Sequence, residues 1–86
     1  IARFRGVPWM KDGEGISNEE LDKCARAQNV EIRKGDFVHV RTGQMERCLS
    51  EGVWGGYAGG DAPGVMFENC YWCQEKEIAA LCMDTW

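Results

Sequence analysis

Cys70-Tyr71-Trp72-Cys73 is the spacing in this chain that most directly suggests chemistry. A CxxC pair can act as a redox couple or as half of a zinc site. Redox pairs sit at a helix N-terminus, where the dipole lowers the thiol pKa. The local pattern puts this pair in mid-helix, several residues beyond an expected cap at Asp61. A structural zinc site needs two further ligands, and the sequence holds neither a second CxxC nor a paired His. The expectation is therefore packing, with at least one of the two thiols turned inward. His39 is the only histidine, and one imidazole does not build a catalytic metal site. Paired carboxylates can do acid–base work, but no spacing brings Asp36, Asp61 and Asp84 together. Asp36 beside Gly35 reads as the cap of a turn. Asp84 follows the last strand at its C-terminal end, where α/β folds place functional groups.

The loop Trp54-Gly55-Gly56-Tyr57-Ala58-Gly59-Gly60-Asp61 carries the strongest binding signal. It matches neither a GxGxxG after a strand nor a phosphate-binding loop with Lys and Ser/Thr. Glycines between aromatics let the backbone approach a flat ligand while Trp54 and Tyr57 offer stacking faces. The same two aromatics would equally pin a long excursion to the body or to a neighbouring subunit, and both readings stand. Trp54 and Tyr57 are the candidate substrate-binding residues.

The elements that must position these groups read as follows. Residues 1–16 are an irregular connection with Trp9 and Met10 as apolar anchors. Ser17-Asn18-Glu19-Glu20 matches a capping box, in which Ser17 takes the Glu20 N–H and the Glu20 side chain reaches back. Leu21, Cys24, Ala25 and Gln28 follow at helical spacing, and Asn29 is a left-handed stop. A short strand at Val30 and Ile32 leads through a Lys34-Gly35-Asp36 turn into a stronger strand, Phe37 to Val40, closed by Arg41-Thr42-Gly43. The pattern predicts a helix over 44–51 with Met45, Cys48 and Leu49 on one face. It then predicts a loop over 52–61 and a helix from Asp61 to about Lys76, with Pro63 in its first turn and Phe67, Cys70 and Tyr71 inward. Ile78 to Met83 reads as a continuous apolar run of strand length, buried on both faces if the sheet is covered. Helices alternating with strands make the fold class α/β, a single partial domain over residues 1–86.

Bulk properties narrow the setting. A chain of 86 residues is at most one small domain, and domains of this size bury only roughly 60% of their unfolded surface. A net charge of −4 with scattered Arg and Lys argues against nucleic acid. No apolar segment approaches the roughly 20 residues that span a bilayer, so no membrane association is expected. Five cysteines, an odd number, fall mainly in helix faces or strand. They read as reduced, small hydrophobes of a cytoplasmic protein. Ile1, with no initiator Met, and Trp86, straight after an apolar run, read as cuts through a longer chain.

In order, the chain presents ISNEELDKCARAQN, VEIRKGDFVHVRTG, WGGYAGGDAPG and KEIAALCMDTW. This succession resembles the middle of the cyclase-like metal-dependent hydrolases, the family of bacterial kynurenine formamidase and isatin hydrolase. The likeness covers essentially all 86 residues. It implies a swivelling β/β/α domain of mixed sheet strands with flanking helices, a homo-oligomer, and hydrolysis of a small-molecule amide or lactam C–N bond. It also implies zinc or manganese, held by a His- and Asp-rich motif upstream and by a His and a Glu downstream. Both sets lie outside this stretch, so the segment alone is expected to bind no metal and to hydrolyse nothing. Two rival readings remain at this point. One is a non-catalytic module using loop 52–61 for a small ligand or subunit contact; the other is a metal or redox module built on Cys70 and Cys73.

Overall fold

A computed structural model describes residues 1–56 and 58–85. The element order is α1 (Ala2–Arg5), β1 (Gly15–Ile16), α2 (Asn18–Ala27), β2 (Phe37–Val40), α3 (Gln44–Glu51), β3 (Gly64–Val65), α4 (Asn69–Lys76) and β4 (Ala80–Met83). Helices and strands alternate, and both ladders are parallel, as an α/β protein requires. The strands form two separate two-stranded sheets, β1 with β3 and β2 with β4. Among the described residues, no helix is long and apolar enough to cross a membrane.

Local chemistry explains the elements that match expectation. Ser17 is the N-cap of α2 and its hydroxyl accepts the Glu20 N–H at 3.2 Å. Leu21 and Cys24 are its buried positions, and Asn29 adopts the left-handed conformation that stops it. β2 spans Phe37 to Val40 as its β-branched and aromatic content dictates. The turn before it is closed by Asp36, whose carboxylate accepts the Arg33 N–H at 2.8 Å.

Four expectations are corrected. Residues 30–32 form no strand: the Val30 N–H donates to the Ala25 carbonyl at 2.9 Å, completing the end of α2. The amino-terminal stretch is not wholly irregular, since it holds α1 and β1. The helix expected from Asp61 starts at Asn69. The Gly64 N–H donates to the Glu14 carbonyl at 3.0 Å as β3 pairs with β1, and a chain engaged in a ladder cannot also be a helix. Consequently Asn69 and Trp72 are the buried positions of α4, whereas Phe67, Cys70 and Tyr71 are exposed. Finally, β4 spans Ala80–Met83 and is half-buried along its length, so the covering that burial on both faces requires is incomplete; among the described residues β2 is its sole partner strand.

The core gathers Ala2, Met10, Ile16, Leu21, Val40 and Trp72, with Ile78, Leu81 and Met83 packed against it. Residues 1–10 are tied to the carboxyl end of β2: the Ile1 amine donates to the Arg41 carbonyl at 3.0 Å and the Met10 N–H to the Thr42 carbonyl at 2.9 Å. Met10 is the anchor the sequence suggested, at 1% exposure.

Candidate functional site

β2 and β4 run parallel, so Thr42 and Asp84, each just past its strand, meet at the same carboxyl edge. The Asp84 carboxylate accepts four hydrogen bonds there: the Thr42 N–H at 2.7 Å, its hydroxyl at 2.8 Å, the Gly43 N–H at 2.9 Å and the Gln44 N–H at 3.1 Å. The N-cap of α3 is Gly43, which has no side chain, so Asp84 supplies the cap from across the sheet. Burial pushes the Asp84 carboxyl up. The hydrogen bonds from Thr42 and Gly43 outweigh it and leave the group below the usual carboxylate range.

This brace sets the direction of α3, and α3 leads into the glycine-rich loop. A cleft of about 300 Å³ opens between them, lined by Asp12, Gln44, Arg47, Glu51, Trp54 and Asp61 among others. The Arg47 guanidinium donates to Asp12 at 2.6 Å and to Glu51 at 3.3 Å, which holds it against the wall. Trp54, 63% exposed, is among the residues lining the cleft. Tyr57 lies outside the described residues. The lining combines an aromatic face, an ion-paired Arg and three carboxylates. Those groups can hold a flat polar ligand that carries donors, and they include no nucleophile of the Ser, Cys or Lys type.

The three aspartates singled out in the sequence take separate duties. Asp36 closes its turn, Asp61 lines the loop cleft and Asp84 braces α3. His39 is exposed and lines a second, larger groove of about 680 Å³ between α2 and β2, with Phe37 on the same side of the strand. Sequence reasoning allowed His39 to line a pocket or meet solvent, and it does both here, in a groove that Val38 and Val40 also line. It missed the Asp84 brace. The signal there was a Thr-Gly after one strand and an Asp after another, with a helix between that lacks a capping side chain.

A divalent cation does not fit the residues present. Among the described residues no group of three His, Cys, Asp or Glu side chains is placed to hold a metal ion. Asp84, the best placed carboxylate, has its oxygens engaged by four protein donors.

The chain is an α/β framework whose carboxyl strand ends brace a helix beside a loop cleft. The Cyclase family model matches residues 4–86, and this chain belongs to that family. No curated protein and no solved structure matches it.

Proposed function

We propose that these residues are the internal framework of a metal-dependent hydrolase acting on amide or lactam C–N bonds, and that Trp54 and Tyr57 line one wall of its substrate pocket. The family match across residues 4–86 carries the reading, and the cleft beside Trp54 supports it. The metal ligands, zinc or manganese being the ions in view, would come from outside the 86 residues. The part of this chain is positioning: Asp84 and Thr42 orient α3, and α3 presents Arg47 and the loop.

The test is hydrolysis of N-formylkynurenine and isatin with added zinc or manganese. The 86-residue chain is expected to turn over neither and to retain no metal after desalting. A longer product that includes the ligand sets is expected to hydrolyse one of them, with KM raised and kcat little changed in Trp54→Ala. Turnover by the 86 residues alone, or a Trp54→Ala variant with unaltered KM, overturns the reading.

One observation favours a second role for the same loop. Met45 and Leu49, four apart on α3, are both exposed, as are Val53 and Trp54 just past its end. Monomers rarely leave large apolar patches uncovered, so a subunit contact in a homo-oligomer is the alternative. Sedimentation of Leu49→Glu separates the two: a changed mass with unaltered KM supports the contact.

A further inference from the structure

The Cys70–Cys73 pair is the chemistry-bearing motif that the family assignment does not use. Its expected place in mid-helix was the ground for reading it as packing, and the structure removes that ground. α4 begins at Asn69, so Cys70 stands in its first turn and Cys73 one turn on. Residues three apart on a helix are neighbours on one face, with Cβ atoms about 5–6 Å apart, so a disulfide needs the first turn to draw them in to about 4.5 Å or less. Exposure is asymmetric, Cys70 being exposed and Cys73 half-buried. Burial pushes the Cys73 thiol up, and the nearby Cys70 adds to it. The inner sulfur is therefore the weaker acid for its burial, while the outer one meets solvent.

The helix carrying the pair is firmly held. Trp72, between the two cysteines, is 3% exposed and donates from its indole N–H to Asp22 at 2.9 Å. Asn69 is buried, donates to the Asn18 side chain at 2.6 Å and accepts the Met66 N–H. The remaining cysteines are differently placed: Cys24 and Cys48 are buried and Cys82 is half-buried in β4.

We infer that Cys70 and Cys73 form a dithiol site that reacts with low-molecular-weight disulfides of the glutathione type, Cys70 attacking and Cys73 resolving. The Cys70 thiolate attacks one sulfur of the external disulfide, forming a mixed disulfide and releasing one thiolate. Cys73 then loses its proton, attacks the Cys70 sulfur and releases the second thiolate. Two protein thiols are oxidised by two electrons, and one external disulfide is reduced to two thiols that carry the two protons.

The test equilibrates the protein with mixtures of reduced and oxidised glutathione, quenches with acid, alkylates the remaining thiols and maps them by mass. Cys70 is expected to react about tenfold or more faster than Cys24 or Cys48, since exposure governs thiolate attack. The product expected is a species two hydrogens lighter, with Cys70 and Cys73 joined. Cys73→Ser is expected to accumulate a glutathione adduct on Cys70, and Cys73→Ala repeats the trap without a buried hydroxyl. Cys70→Ser is expected to give neither adduct nor disulfide at Cys73. Equal alkylation of all five cysteines across the series, or adduct-free Cys73→Ser and Cys73→Ala proteins, overturns the inference.

Discussion

The Asp84 carboxylate grips Thr42 twice, at 2.7 Å through the backbone N–H and at 2.8 Å through the hydroxyl. Thr42 is fully buried, so its hydroxyl has no recourse to water. The second Asp84 oxygen continues to Gly43 and Gln44, the first donors of α3. One side chain thus closes β4, terminates β2 and starts α3. A carboxylate at a helix start also gains from the dipole.

Asp84→Asn keeps the size and removes the charge. Charge-assisted hydrogen bonds contribute more than neutral ones, so the expected loss is about 2 kcal/mol. Asp84→Ala strands buried donors at Thr42 and is expected to destabilise further, by about 3 kcal/mol. Urea unfolding followed by tryptophan fluorescence measures both. A loss in Asp84→Asn no greater than that of an exposed carboxylate such as Glu31 would remove the brace from the account.

Elements with purely local causes were legible in the sequence. β2 was readable because its apolar alternation and its Lys34-Gly35-Asp36 turn lie side by side. α2 was readable from Ser17, and α3 from the span between Gly43 and Gly52. What was hidden depends on distant partners. The start of α4 is decided by β3 pairing with β1 and by Asn69 reaching Asn18. Helical spacing marked Met45, Cys48 and Leu49 as one apolar face, but periodicity does not say what covers it: Cys48 is buried, while Met45 and Leu49 are exposed. Trp54 was singled out because composition alone marks an aromatic among glycines, and it lines the cleft beside α3.

Two glycines bracketing α3 share a positive φ but differ in surroundings. Gly43 has φ +90°, and a Cβ there would lie 2.7 Å from the Trp9 Cα, inside backbone that cannot yield. Gly52 has φ +70° with nothing within 4 Å. Gly52→Ala should lose only the left-handed penalty, about 1 kcal/mol. Gly43→Ala adds a backbone clash and should lose about 3 kcal/mol or more. Melting temperatures of the two variants give the comparison, and equal losses would contradict the close approach of residues 8–9 to α3.

Arg5 joins α1 to α2 by donating to Glu20 at 2.5 and 2.7 Å, and it also reaches Glu14 at 3.2 Å and the Gly15 carbonyl at 2.9 Å. Glu20 therefore has a stronger partner than the Ser17 N–H that a capping box offers it. The planar fork is what makes this arrangement possible. Arg5→Lys keeps the charge and loses the paired geometry, for an expected loss of about 1 kcal/mol. A double-mutant cycle with Glu20→Gln should show coupling of similar size, and additive losses would assign Arg5 a packing role only.

Stability should fall in acid through these same two carboxylates. Hydrogen bonding to Arg5 holds Glu20 below its ordinary 4.5. For Asp84, burial acts upward and the Thr42 and Gly43 donors act downward more strongly, leaving it below its ordinary 3.8. A group whose native pKa is depressed contributes stability that is fully present above the unfolded value and is lost as pH falls through the native one. The stability curve should therefore be flat on the alkaline side of these ordinary values and decline below them. The decline should be shallower in Asp84→Asn, which has no such proton to take up. Chemical denaturation across the acid range reads the slope directly. An Asp84→Asn protein that declines as steeply as the parent would mean that the brace is already protonated in the native state.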